Sequence, residues 1–401
     1  MTVRPQLWLR GRLQPTASSS RSRANWREKS RRAAAVREDC SASGPIRRPR
    51  ISRQPVPGCK LITAHKRRHG GNNMKLKLLL ISTVAACALT SRSAHSFEFG
   101  YAGYAQKPGL VVGNAASNPP PGLYAFDQVF TYQAKLAGPG APIIDGNPTT
   151  VHAAAATAGL FWVPGWTILG ASYDAVIAQP WLMADLGDPI NINPAGLHNT
   201  FIAPIELSWK LGESGFYARA GLGLYAPTGT TSGANGLGSV GTPWWIFQPN
   251  IQLSYLKDGW NFTVNVFDAI NTRNPLTGYT SGDILHAEFT ATKTIGKWTI
   301  GPVAYYVGQV TGDKSSSFYG GAINTNRFNV WAAGALVGYD FGPVSLNVWA
   351  MSEISASASG GTPIAGFDPA SISKGVSIFA SLNYRLWSPD APISQKPIQH
   401  K

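Results

Sequence analysis

From Leu123 onward apolar and polar residues alternate with a period of two, and no segment sustains the 3.6-residue repeat of an amphipathic helix. In Phe201 to Leu211, the residues Phe201, Ala203, Ile205, Leu207, Trp209 and Leu211 share one face, opposite Glu206, Ser208 and Lys210. Val376 to Leu386 sets Val376, Ile378, Ala380, Leu382, Tyr384 and Leu386 against Ser377, Ser381, Asn383 and Arg385. Tyr124 to Leu136 sets Tyr124, Phe126, Phe130 and Tyr132 against Asp127, Thr131, Gln133 and Lys135. Twelve such segments follow one another, near 123–136, 149–163, 166–178, 199–211, 214–226, 244–257, 259–270, 283–296, 298–311, 327–339, 343–355 and 375–387.

The connections carry as much information as the strands. After the second, fourth, sixth, eighth and tenth segments the chain turns tightly, at Pro164-Gly165, Gly212-Glu213-Ser214, Lys257-Asp258-Gly259, Gly296-Lys297 and Asp340-Phe341-Gly342-Pro343. After the odd segments it makes long polar loops such as 179–198, 227–243, 312–326 and 356–374. Strict short and long alternation is the layout of a transmembrane β-barrel, with short periplasmic turns and long outer loops. Closure lets every strand satisfy its backbone N–H and C=O groups without water, which a bilayer core requires. Trp162, Trp166, Trp209, Trp244, Trp245, Trp260, Trp298 and Trp387 lie near segment ends, where an aromatic girdle would meet the headgroups. The prediction is therefore all-β: a transmembrane antiparallel up-and-down β-barrel of about twelve strands over residues 122–387, with both barrel ends on the short-turn side.

Charge and cysteine change the picture only upstream of the barrel. Of the 35 Lys+Arg and 20 Asp+Glu, residues 1–73 hold 18 basic residues and three acids, Glu28, Glu38 and Asp39, so the remainder is formally neutral. This leader is rich in Arg, Ser and Pro, lacks apolar periodicity, and reads as a basic disordered segment ahead of a mis-assigned start. Its Arg-rich runs suit nucleic acid, but no nucleic-acid partner is expected. Residues 74–96, MKLKLLLISTVAACALTSRSAHS, have the three-part layout of a bacterial secretory signal, which gives a mature chain beginning near Phe97. Val84-Ala85-Ala86-Cys87 also fits a lipoprotein cleavage pattern. Residues 97–121 have no strand pattern and are long enough to fold into the lumen as a plug or to hang in the periplasm, and 388–401 form a tail. All three cysteines, Cys40, Cys59 and Cys87, precede the barrel, which excludes thiolate metal clusters and disulfides from it.

The chemistry left to the barrel is that of its inward face. His152, His198 and His286 sit in no nucleophile motif, and no phosphate loop, metal-ligand spacing or dinucleotide fingerprint occurs, so neither enzyme activity nor cofactor is expected. Asp127, Lys135, Glu206, Lys210, Arg219, His286, Glu288 and Arg385 each oppose an apolar face and are the candidate lumen-lining residues. Glu206 and Arg219, on strands joined by the turn at Gly212 to Ser214, are expected near cross-strand registration. Twelve strands fall between small side-chain-filled barrels of about 8 strands and open porins of about 16 to 18, so the lumen should be narrow.

Several stretches resemble the meta-pathway phenol-degradation protein family. They are Pro121-Gly122-Leu123-Tyr124, FYARAGLGLYAPTGT (Phe216 to Thr230), FQPNIQLSYLKDGWNFTVNVFDAINTRN (Phe247 to Asn274), TGYTSGDILHAEFTATKTIGKW (Thr277 to Trp298) and GPVAYYVGQVTGD (Gly301 to Asp313). The family's proteins are described as similar to aromatic-compound and long-chain fatty-acid channels. The resemblance implies a bacterial outer-membrane barrel that passes small hydrophobic or aromatic molecules by diffusion. Its expected partners are outer-membrane lipid, the solute and the barrel-insertion machinery, for which Tyr384-Arg385-Leu386-Trp387 resembles the aromatic-ended last-strand signal. A structural or adhesive barrel whose outer loops carry the function is the alternative.

Overall fold

Twelve long strands form the wall: β1 (Gly122–Ala137), β2 (Thr150–Val163), β3 (Ala171–Leu186), β4 (Thr200–Lys210), β5 (Phe216–Ala226), β6 (Ile246–Lys257), β7 (Trp260–Asn271), β8 (Ile284–Ile295), β9 (Trp298–Gln309), β10 (Arg327–Asp340), β11 (Val344–Ser359) and β12 (Ile372–Trp387). The computed structural model describes residues 98, 101, 104–232, 238–320, 327–359 and 370–389. The expected leader, signal sequence and Cys87, and the tail from 390, lie outside the described residues. Each strand pairs antiparallel with its sequence neighbour, and β1 closes onto β12 from Leu123↔Trp387 to Ala137↔Ile372. Closure leaves no sheet edge in the bilayer.

The turn chemistry is local and explains the hairpins. At the β6–β7 turn Asp258 and Gly259 have φ of 52° and 77°, the paired left-handed conformations of a two-residue hairpin, with Lys257 opposite Trp260. All the short connections fall at one end of the barrel, together with the start of β1 and the end of β12. The other end carries the long loops, one of which contains a small hairpin of Ile143–Ile144 with Asn147–Pro148. Among the described residues the sole helical turn is a 3-10 element, Ser317–Tyr319.

The outward face is what a soluble protein would bury. Ile251, Ile300 and Ile378 are 59%, 53% and 54% exposed, and Leu160, Phe262, Val337 and Val348 are exposed with them. A continuous apolar belt of this kind suits lipid rather than water. At the turn end Trp162, Trp166, Trp260, Trp298 and Trp387 are exposed, and pairs such as Trp166–Tyr173 and Trp260–Phe262 stack with centroids 5.5 and 5.0 Å apart. Trp244 departs from the expected girdle. It is buried, donates from Nε1 to Asn271 Oδ1 at 2.9 Å and meets Tyr101 edge-on, leaving its neighbour Trp245 to face outward.

The third strand also differs from its expected span of 166–178. Thr167–Ile168 fold back on Ala171 and Ser172, and β3 runs on through Pro180 to Leu186. The missing N–H of Pro180 does not end the strand, because its carbonyl accepts the His198 N–H and residues 195–197 pair with Trp181 to Met183. β11 extends similarly through Ala356 to Ser359, small residues that carry no apolar signal yet pair with Arg327 to Val330.

Candidate functional site

Residues 98, 101 and 104–121 lie along the inside of the wall from the loop end to the turn end. At the loop end the buried Glu98 carboxylate accepts Thr277 Oγ1 (2.6 Å), Tyr319 OH (2.7 Å) and Asn274 Nδ2 (2.7 Å), while its N–H donates to Ser281 Oγ (3.0 Å). Lower down, Lys107 Nζ lies 3.1 Å from Glu353 Oε1 and 3.7 Å from the centre of the Tyr132 ring. Glu353 also accepts the hydroxyls of Tyr132 and Tyr305 and the N–H of Gly375, each at 2.7 Å. Glu288 accepts the N–H groups of Gly109 (2.8 Å) and Val111 (3.1 Å), and Thr290 Oγ1 accepts that of Gly113. At the turn end Ala116 bonds Ser254 and Ser208, and Asn118 bonds Ser172 and Arg219. A segment without a ladder of its own thus finds its backbone partners on side chains of the wall.

Gly109 shows why this path needs its sequence. Its φ of 87° suits glycine, and a Cβ there would stand 2.7 Å from Met351 Sδ and 2.9 Å from the Tyr305 ring.

Because the middle of the segment packs against β8 to β11, the opposite half of the lumen stays open. A cavity of about 1840 Å³ extends from Gly140, Ile190 and Ile192 at the loop end to Pro120, Asn383 and Arg385 at the turn end. Its middle wall is largely apolar: Phe126 and Phe130 of β1, Ala153 and Ala155 of β2, Ala178 and Leu182 of β3. The Phe126 ring lies flat over Gly159, where a Cβ would approach Phe126 Cζ to 2.1 Å. Gly159→Ala should therefore keep the fold and turn Phe126 into the cavity. The expected result is a severalfold lower solute flux with an unchanged unfolding midpoint, measured in proteoliposomes and in detergent.

The structure separates the expected lumenal residues into three groups. Glu206, Arg219, His286 and Glu288 face inward and are wholly or largely buried, and Arg385 lines the turn-end mouth. Lys210 sits at the turn beside Glu213, with Nζ 2.8 and 2.9 Å from its carboxylate oxygens, and is exposed. Asp127 and Lys135 face outward, opposite Leu382 and Lys374 of β12. This corrects the face assignment of β1, whose inward row is Phe126, Gln128, Phe130 and Tyr132. The lumen here is itself apolar, so hydrophobicity marks the period of the strand but not which face points in.

Glu206 and Arg219 interact diagonally. Glu206 stands opposite Gly221 and Arg219 opposite Ser208, yet Arg219 Nη1 lies 3.7 Å from Glu206 Oε2. Arg219 Nη2 lies 3.4 Å from Asp174 Oδ2 on β3 and donates to Asn118. Gly221 makes room for this, since a Cβ there would meet Glu206 Cγ at 2.7 Å. Sequence reasoning did not find Asp174, Glu353 or Lys107. Glu353 was legible as the single acid of an otherwise apolar or small-residue strand and Asp174 as an acid within the apolar first half of β3, whereas Lys107 had no element to place it.

Two titratable groups at the loop end are held away from their ordinary values. Burial pushes the His198 imidazole down to about 4, so it is neutral at physiological pH. Burial also pushes the Asp313 carboxyl up to about 8, although it accepts Tyr279 OH, Gln309 Nε2 at 2.9 Å and the Gly282 N–H at 2.6 Å. That value lies above the ordinary aspartate value of about 3.9, so the folded state holds the extra proton. Stability from this group is complete below about pH 4 and is lost as pH rises towards 8. Hydrogen exchange at Gly282 should accordingly quicken across that window, and Asp313→Asn should flatten the dependence.

The three described histidines stand apart. His152 faces outward, with Nδ1 3.8 Å from Asp185, His198 lines the cavity, and His286 stacks on Phe267 with centroids 4.5 Å apart. Among the described residues no group of three or more His, Cys, Asp or Glu could hold a metal ion.

Comparison with solved structures finds likenesses of different degree. An outer membrane channel from Pseudomonas putida F1 is 10% identical, with a TM-score of 0.53 over 68% of this chain and 99% of that one. The β domain of the Bordetella autotransporter BrkA is 14% identical, with a TM-score of 0.36 over 66% of this chain and 99% of that one. The TodX monoaromatic hydrocarbon channel is 11% identical, with a TM-score of 0.34 over 67% of this chain and 91% of that one. Comparison with curated proteins gives no match. The fold is that of an outer-membrane barrel. The model of the family described as "MetA-pathway of phenol degradation" matches residues 134–367, more than half of the sequence, and the chain belongs to that family.

Proposed function

We propose that the protein is a bacterial outer-membrane channel through which small hydrophobic or aromatic molecules diffuse, with residues 97–121 as a lumenal plug that narrows the path to one side. The observation that carries this reading is the cavity of about 1840 Å³, lined from loop end to turn end and apolar through its middle. A barrel acting only as scaffold or adhesin has no need of so continuous a space. Family membership and the fold shared with an outer membrane channel support the same reading. The dispersed histidines favour a transport role over an enzymatic one. Lipid at the apolar belt, a hydrophobic solute in the cavity and the insertion machinery at the last strand are the partners in this scheme.

The test is the initial uptake of a radiolabelled monoaromatic solute by cells that carry or lack the protein. A channel raises the rate severalfold. A structural or adhesive barrel leaves it unchanged.

A further inference from the structure

We propose that the loop end of the cavity is a binding chamber for neutral aromatic solutes bearing an oxygen acceptor, recognised by the side-chain amides of Gln106 and Gln248. The inference rests on the channel reading, because the chamber is part of the same cavity. Its rings are Phe201 of β4, Tyr225 of β5 and Phe267 of β7, with Gln106 contributed by the lumenal segment and Gln248 by β6. Phe201 and Tyr225 lie with centroids 5.0 Å apart. Gly223 lets the Phe201 ring lie close, since a Cβ there would stand 2.6 Å from its Cε2.

The polar groups among these rings are incompletely satisfied. Gln106 and Gln248 are only 9% and 5% exposed, and the Nε2 atom of each lacks a hydrogen-bond acceptor. The Tyr225 hydroxyl donates to Gln106 Oε1 at 3.2 Å, and the Gln248 amide approaches the same hydroxyl without its nitrogen reaching a hydrogen-bonding position. Buried amide N–H groups ordinarily have partners, and elsewhere along the segment the wall provides them. Two unsatisfied amide donors beside one tyrosine hydroxyl in an aromatic chamber suit a ring carrying one acceptor oxygen, reached by a small turn of either amide. A hydrocarbon of the same shape would leave both donors desolvated. An ionised solute would lose its hydration in so buried a chamber, which selects the neutral form.

Phenol and toluene make a matched pair of probes, since they differ by a hydroxyl in place of a methyl. Their dissociation constants should be measured by calorimetry or ligand-observed NMR on the full-length barrel in detergent, with folding checked by heat modifiability. Wild type should prefer phenol by about tenfold, the factor that one satisfied buried donor supplies. Gln248→Leu and Gln106→Leu should each reduce that preference severalfold while toluene binding is kept, and the use of two variants guards against misfolding of one. Equal binding of the two probes by wild type, an unchanged preference in both variants, or no binding of either probe would overturn the chamber. Failure of cellular uptake with the binding preference intact would instead overturn the channel reading alone.

Discussion

Replacing Glu353 by Leu should cost about 3–5 kcal/mol of stability and free the lumenal segment from the wall, the effect expected when one member of a buried ion pair is removed. The carboxylate is only 7% exposed and receives four donors: Lys107 Nζ, two tyrosine hydroxyls and the Gly375 N–H. Without it, the Lys107 ammonium loses its counter-charge inside the lumen, and three further donors are left without their acceptor. The companion Lys107→Met should cost less, because Glu353 keeps three of its hydrogen bonds. The double variant should cost less than the sum of the singles, since the second substitution removes the uncompensated charge that the first creates. Urea unfolding in detergent reads the energies, and protease cleavage within 104–121 reads release of the segment. A released segment should also raise solute flux, which ties the ion pair to the plug.

The barrel was legible in the sequence because its determinants are local. Period-two alternation and the tight turns at Asp258-Gly259 and Gly296-Lys297 depend on neighbouring residues only, and they give the number of strands and the end on which each connection lies. The face of β1 was not legible. Phe126, Phe130 and Tyr132 look outward by hydrophobicity but face a lumen that is apolar in its own right, and this pushes Asp127 and Lys135 to the other side. Nor was the path of residues 104–121, whose contacts reach across as many as 246 positions, as between Lys107 and Glu353. Such contacts leave no periodic trace. The pairing of Glu206 with Arg219 falls between these cases: counting from the turn placed the two residues on adjacent strands and the same face, but the register set them two positions apart and admitted Asp174 as a third member.

That third member changes what each substitution should do. Among the described residues Arg219 is the one cation between Asp174 and Glu206, with its guanidinium 3.4 Å from the first and 3.7 Å from the second. Asp174 is fully buried, so Arg219→Gln leaves two carboxylates facing a low-dielectric space without their cation. The expected cost is about 3–5 kcal/mol, against the ~0–1 kcal/mol typical of an exposed pair. Glu206→Gln should cost much less, because Asp174 still neutralises Arg219 and the new amide can keep the bond to Asn250, now 3.1 Å long. Adding Asp174→Asn to Arg219→Gln should recover part of the loss, whereas adding it to an intact Arg219 should destabilise. Unfolding midpoints of the four variants in detergent test the scheme, and additive costs throughout would reject it. The same variants bear on permeation, since Glu206 and Arg219 both line the cavity near its turn end. Glu206→Gln removes a negative group from the cavity wall, and Arg219→Gln removes a positive one. Reversal potentials across planar bilayers should then shift towards anions for Glu206→Gln and towards cations for Arg219→Gln, in opposite directions from wild type.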